Sequence, residues 1–335
     1  MATCLIGLGS NLGDRATHLQ SALRRLSEHS SVSSLIASSL HGTQPVGGPA
    51  GQGDFLNAAA RIETSLPAQA LLQVLLEIEA DVGRTRGERW GARVIDLDLL
   101  LYEDRVLDTP SLQLPHPRMA FRRFVLVPAV EVAADMVHPI IGWNIQQLVE
   151  HLEHSINYVA VTGAIGTGKT SLVRQVQRDE NINWIRDSVD QSMLSLYLQN
   201  PPEEAVKTEL QLAASRLQNL SQLTGDSPAT ISDFWFDQSL AFAQTWLSGA
   251  MLEQFERSWV EMRDSVPSPK LLIFLDVETH HSQESSSESA TAQIKDVERI
   301  LHDLIARWHE GPILTLRDRS TAVAETSAAL QAMKC

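Results

Sequence analysis

Apolar positions cluster along Thr3–Leu8 and predict a buried opening strand. Leu19, Ala22, Leu23 and Leu26 then recur three and four residues apart, which predicts a helix with one face on a sheet. Val32–Ser39 and Phe55–Glu63 read as strands. Pro67–Val82 reads as a helix with Leu71, Leu75, Ile78 and Val82 inward, ended by Gly83. An apolar segment from Val94 to Leu101 follows, broken only by Asp96 and Asp98. The order β-α-β-β-α-β is that of a ferredoxin-like α+β domain. Further on, short apolar runs at Tyr158–Thr162, Asn183–Asp187, Ala229–Asp233, Leu271–Asp276 and Ile313–Leu316 alternate with helical stretches. That pattern predicts an α/β parallel sheet covered on both faces. Two domains result, 1–157 and 158–335, as the length of 335 residues leads one to expect. The run Leu240–Val260 reads as helical, with Phe242, Trp246, Phe255 and Trp259 at helical spacing. Core packing is the preferred reading of these aromatics, and a homodimer face in the second domain is the rival.

Composition narrows the function. A net charge of -14 argues against nucleic-acid binding, which needs a basic face. Residues 1–157 nonetheless hold 12 Arg and no Lys against 17 acidic residues, and the arginines gather between 84 and 123. Cys4 and Cys335 form no disulfide framework, and neither a leader nor a membrane-length apolar run is apparent. The expected placement is a soluble protein of a reducing cytoplasm, with no membrane partner.

The arginine-rich stretch carries the chemistry. Gly83 opens a loop with Arg84, Arg86, Arg89 and Arg93, and alternation along the next strand puts Asp96 and Asp98 on one face while Ile95, Leu97 and Leu99 point to the core. Paired carboxylates suit Mg2+ bound to phosphates, and planar guanidinium donors suit the same phosphates. A strand whose aspartates merely pair with arginines is the bland alternative. The turn from Gly7 to Gly13 could cradle a phosphate but lacks the acidic residue of a dinucleotide fold, and reads as structural. Thr43–Gly53 is a long Gly/Pro-rich loop of the kind that closes over ligands.

These residues, Gly83-Arg84-x-Arg86-x-x-Arg89-Trp90-Gly91-x-Arg93-x-x-Asp96-x-Asp98, with Pro115–Arg118 behind and Gly7–Asp14 ahead, closely resemble 6-hydroxymethyl-7,8-dihydropterin pyrophosphokinases of folate synthesis over about the first 155 residues. The resemblance implies pyrophosphoryl transfer from ATP to 6-hydroxymethyl-7,8-dihydropterin, releasing AMP. It implies two Mg2+ ions on Asp96 and Asp98 and charge stabilisation by Arg84 and Arg93. It assigns the pterin to Thr43, Val46, Phe55, Asn57, Trp90 and Phe124, and ATP to Glu79, Arg84, Arg93, His116 and Arg122. Ala92 stands where the family usually has proline, and Ser111 where some members place a basic ATP contact.

In the second domain Tyr158–Thr162 leads at once into Gly163-Ala164-Ile165-Gly166-Thr167-Gly168-Lys169-Thr170, a full phosphate loop between strand and helix. Its amides would cradle phosphates, Lys169 would reach the terminal ones and Thr170 would ligate one Mg2+. Asp187, the Glu209–Arg216 helix with Gln211, and Ile231-Ser-Asp233 resemble deoxynucleoside kinases. The resemblance implies Asp187 as general base and Gln211 and Asp233 as nucleoside-side residues. Phe234 stands where that family has arginine, and the acidic run 277–289 where it has a lid with several arginines. A deoxynucleoside kinase and a degenerate nucleotide-binding module for regulation or assembly both remain open for this half. For the whole chain, a non-enzymatic nucleotide sensor is the rival to a pyrophosphokinase.

Overall fold

The computed structural model describes residues 1–49, 51–84, 91–188, 202–277 and 288–335. The chain folds into two compact units, Met1–Glu153 with Ser327–Cys335, and His154–Thr326.

In the first unit, β1 (Ala2–Ser10), α1 (Arg15–Glu28), β2 (Val32–Ala37), β3 (His41–Thr43), β4 (Phe55–Thr64), α2 (Ala68–Val82) and β5 (Asp96–Tyr102) follow the expected order. The sheet runs β2-β4-β1-β5, every pairing antiparallel, with β3 added beside β4. This is the ferredoxin-like arrangement, with β1 in the middle. Alternation sends Cys4, Ile6 and Leu8 of β1, Ala58, Ala60 and Ile62 of β4, and Leu97 and Leu99 of β5 into one core with Leu19 and Leu26 of α1 and Leu71, Leu75 and Ile78 of α2. Asp14 caps α1 by accepting the Thr17 amide. Gly83 ends α2 at φ +106°, a left-handed conformation that glycine adopts without a Cβ penalty. The opposite face of the sheet carries Gly7, Gly9, Asn57, Asp96 and Asp98. Beyond β5, a hairpin of β6 (Leu107–Asp108) and β7 (Gln113–Leu114) precedes α3 (Arg123–Ala133) and α4 (Ile145–His154).

His138 lies buried between α3 and α4. Its Nδ1 accepts the Ile141 amide, and burial pushes its pKa down to about 4. The unfolded chain therefore takes up this proton first, near pH 6.5. Stability from His138 is complete above pH 6.5 and is lost as pH falls towards 4, up to about 3 kcal/mol in all. Thermal melts of His138→Asn should show a flatter dependence between pH 6.5 and 4 than the parent.

The second unit is built on β8 (Tyr158–Gly163), β9 (Asn183–Ile185), β10 (Thr230–Ser232), β11 (Leu271–Leu275) and β12 (Ile313–Leu316). The order β12-β11-β8-β10-β9 is parallel throughout, so every strand opens at its carboxyl end onto one edge. The helices α5 (Lys169–Glu180), α6 (Pro202–Leu220), α7 (Gln238–Trp246), α8 (Gly249–Arg263) and α9 (Glu288–Ala306) accompany it. The helical run Leu240–Val260 is divided between two helices, α7 and α8. Leu247 is extended and buried, Ser248 is extended, and Gly249 takes φ +56°, so the chain turns where an unbroken helix would leave Leu247 in another direction. Its aromatics pack within the unit: Phe255 is fully buried, Phe242 stacks on Trp246 at 5.7 Å and Trp259 on Phe236 at 6.3 Å.

Candidate functional site

Register brings the reactive residues of the first unit into one row. Gly9 of β1 faces Asn57 on one side and Asp96 on the other, and Gly7 faces Asp98. A Cβ at Gly9 would lie in ordinary contact with its neighbours, 3.4 Å from Asn57 Oδ1 and 3.8 Å from Phe55 Cδ1.

Asp96 is the electrostatic hub. Arg84 approaches Oδ1 at 2.7 Å, and Arg93 donates to Oδ2. Arg84 also donates to Glu79, whose Oε1 accepts the Leu97 amide at 2.7 Å. Glu79 is only 3% exposed, so it ties the helix that precedes the arginine loop to the strand that carries the aspartates. Burial raises its carboxyl above the ordinary range, against the pull of the Leu97 amide and Arg84. Burial first, and then Asp98, likewise raise the Asp96 carboxyl, against Arg93 and Arg84. In this arrangement Asp96 occupies donors of both guanidinium groups.

The segment after β7 runs beside β5, with the His116 amide donating to Leu100 O. His116 Nδ1 accepts the Arg118 amide, which leaves the proton on Nε2. Burial, with Arg122 and Arg118 nearby, pushes its pKa down to about 3, so the ring is neutral and offers one N–H donor. Burial lowers Arg122 to about 10, which leaves it cationic near neutral pH, and its guanidinium lies 5.5 Å from the Phe124 ring. Asn57, 5% exposed, donates from Nδ2 to Thr43 Oγ1 at 2.8 Å, so pairing of β3 with β4 joins two residues of the expected pterin pocket. Phe55, Val46 and Phe124 are half-buried, unlike the fully covered core aromatics. Trp90, with Arg86 and Arg89, lies outside the described residues.

Asn11 carries more than the turn reading assigned to it. Its Oδ1 accepts the Arg93 amide at 2.7 Å, its own amide donates to Arg93 O, and its Nδ2 reaches Gln52 Oε1 and Gly53 O. Ser10 Oγ donates to Val94 O. One turn thus pins the Arg93 backbone and the end of the Gly/Pro-rich loop together. Local patterning could not reveal this, because the partners lie more than forty and eighty positions away. If the activity that the resemblance implies operates here, Asn11→Ala should slow AMP release about tenfold, the worth of roughly one hydrogen bond at Arg93. A rate equal to the parent's would remove Asn11 from the site.

In the second unit the phosphate loop links β8 to α5. Lys169 Nζ donates to the carbonyls of Gly163 at 2.8 Å and Ala164 at 3.0 Å. Burial lowers its pKa to about 8, against Asp187 and Asp233. Thr170 Oγ1 donates to Asp233 Oδ2 at 2.7 Å, and Asp233 Oδ1 accepts the Asp187 amide at 2.7 Å. Asp187, Asp233 and the loop therefore meet at the carboxyl ends of three adjacent strands. Gln211 is exposed on α6, whereas Glu209 and Arg216 are buried on it. Arg319, after β12, donates to Gly166 O at 3.2 Å, a cation at the loop that no motif announced. The run 278–287 lies outside the described residues. No described helix is long and apolar enough to cross a membrane.

Several known proteins are similar to parts of this chain. The family described as 7,8-dihydro-6-hydroxymethylpterin-pyrophosphokinase matches residues 5–134. A 2-amino-4-hydroxy-6-hydroxymethyldihydropteridine pyrophosphokinase of Haemophilus influenzae is 40% identical over 160 residues, 47% of this chain and 99% of that protein. One from Bacillus subtilis is 46% identical over 127 residues, 38% of this chain and 75% of that protein. Among solved structures, deoxyadenosine kinase from M. mycoides with products dCMP and a flexible dCDP bound aligns with 52% of this chain and 95% of its own, at 14% identity and a TM-score of 0.41. NadR protein in complex with NAD and AMP-PNP aligns with 54% of this chain, which spans half of the NadR chain, at 19% identity and a TM-score of 0.40. With the aspartate strand, its arginines and a pyrophosphokinase relative matched almost end to end, the chain belongs to the 7,8-dihydro-6-hydroxymethylpterin-pyrophosphokinase family, ATP- and Mg2+-using enzymes of folate synthesis.

Proposed function

We propose that the first unit transfers the pyrophosphoryl group of ATP to the hydroxymethyl oxygen of 6-hydroxymethyl-7,8-dihydropterin, with AMP as the second product. The row Asn57–Gly9–Asp96 carries this reading, because it sets an amide that can pair with a heterocycle and a carboxylate that can face phosphates on one face of the sheet. The donor set fits Mg2+, since Asp96 and Asp98 put two carboxylates, hard oxygen donors, on one face of β5. Asp96 and Asp98 would hold two Mg2+, which neutralise phosphate charge and polarise the phosphorus under attack. Arg84 and Arg93 pass from Asp96 to phosphate oxygens and stabilise charge on the group in transit. His116 gives its Nε2–H to a phosphate oxygen, and Arg122 adds a second cation. Glu79, buried between Arg84 and the Leu97 amide, contributes by holding both in place on the ATP side. Thr43, Val46, Phe55, Asn57, Trp90 and Phe124 hold the pterin, with Asn57 on its amide edge and the aromatic rings on its faces.

For the second unit we propose a nucleotide site in which the Gly163–Thr170 loop cradles a triphosphate, Thr170 ligates one Mg2+ and Asp187 faces a deoxynucleoside hydroxyl. The linkage Thr170–Asp233–Asp187 supports it, since it joins the metal end of the loop to the acceptor carboxylate through 2.7 Å bonds. The acidic run 277–289, without a single arginine, favours the rival in which the unit binds nucleotide and transfers nothing.

Incubating the protein with Mg-ATP and either hydroxymethyldihydropterin or mixed deoxynucleosides tests both units. AMP with the pterin supports the first reading, and its absence overturns it. ADP with deoxynucleosides supports a second kinase, and bound ATP without ADP supports the binding module.

A further inference from the structure

Asp187 is held more firmly than its place at a strand end requires. Arg216 of α6 donates from Nε to Oδ1 at 3.0 Å and from Nη2 to Oδ2 at 2.6 Å, while Nη1 reaches Ser239 Oγ at 2.6 Å. The guanidinium is 5.4 Å from the Phe234 ring, and Arg216 is 3% exposed. Buried ion pairs are poor sources of stability, because apolar groups of similar volume serve as well or better. What a two-pronged guanidinium does give is a fixed carboxylate plane. The backbone of Asp187 is fixed separately, through its amide on Asp233. The Asp187 side chain retains 13% exposure at the open edge of the sheet. Each carboxylate oxygen has two acceptor positions, so one engaged by Arg216 still has another to offer. Open parallel sheets bind their ligands at that edge.

We propose that Arg216 is the positioning residue of the second unit, setting the Asp187 carboxylate to receive the proton of an acceptor hydroxyl. The inference rests on the reading of this unit as a kinase. The acceptor oxygen bonds to the γ-phosphorus of a nucleoside triphosphate as the bond from that phosphorus to the β-γ bridging oxygen breaks. The diphosphate leaves with the electron pair, and the hydroxyl proton passes to Asp187 and on to water. Phe234 offers the guanidinium a flat surface in place of a further charge, so the cation on Asp187 comes from a helix and not from the strand end itself.

The test uses full-length Arg216→Met and Arg216→Lys, with Mg-ATP binding measured beside steady-state phosphorylation of deoxynucleosides. Arg216→Met should lose at least about 100-fold in kcat through misplacement of the carboxylate, with affinity for Mg-ATP within about threefold of the parent. Arg216→Lys should recover about tenfold of that loss, since an ammonium supplies the charge without the planar fork. Should the methionine variant fail to fold, the lysine variant decides alone, by a kcat below the parent's at unchanged Mg-ATP affinity. Parental kcat in either variant overturns the proposal, as does an equal loss of ATP binding and kcat in both. A parent that binds Mg-ATP but phosphorylates no deoxynucleoside defeats the kinase reading itself, and the role of Arg216 with it.

Discussion

Asn in place of Asp98 is expected to cut AMP release from Mg-ATP by about 10^3-fold or more, the scale on which charge stabilisation at a reacting phosphate operates. The fold should survive, because Asp98 sits on the open face of β5 while Leu97 and Leu99 hold the strand in the core. Asp96 cannot substitute, since a single carboxylate would be left to hold both ions. Asp96→Asn should fail equally in rate but also disturb structure, as it strips two guanidinium groups of their shared partner. Chromatographic measurement of AMP against Mg2+ concentration checks this. An Asp98→Asn enzyme keeping more than about a tenth of parental kcat would remove the aspartate pair from the reaction's centre.

Lys169→Ala should weaken nucleotide binding by the second unit about 10^2-fold while leaving AMP release intact. The ammonium now rests on two carbonyls of its own loop, so a triphosphate need only outcompete neutral acceptors to take it. Loss of one charge-assisted contact of about 3 kcal/mol weakens binding by about 10^2-fold. Equilibrium dialysis of parent and variant over the same nucleotide range reads the second unit as the difference between them, since the first unit's site is common to both. Unchanged affinity would show that the loop does not cradle the nucleotide.

Much of this was legible in the residues themselves. The α2 helix ends at the glycine that marks its stop, and the two aspartates share a face because side chains alternate along a strand. The phosphate loop lies between a buried strand and a helix, as its motif demands. What escaped reading depends on distant partners. Asn11 looks like an ordinary turn residue until β1 and β5 pair and bring Arg93 to it. Arg319 is 153 positions from the carbonyl it meets. The break at Leu247 escaped because periodicity records which faces are apolar, and both helices keep aromatic faces on either side of it.

The row Asn57–Gly9–Asp96 also sets a ruler. Two backbone ladders fix the gap between β4 and β5 at roughly twice the interstrand spacing, about 9–10 Å. No rotamer change or surface substitution alters that span, and the glycine at its midpoint adds no side chain of its own between the two. Under the proposed pocket, an acceptor is therefore chosen by reach as much as by hydrogen bonding. A heterocycle with its alcohol one carbon further out would seat its ring correctly and overshoot the phosphorus, so it should bind as an inhibitor.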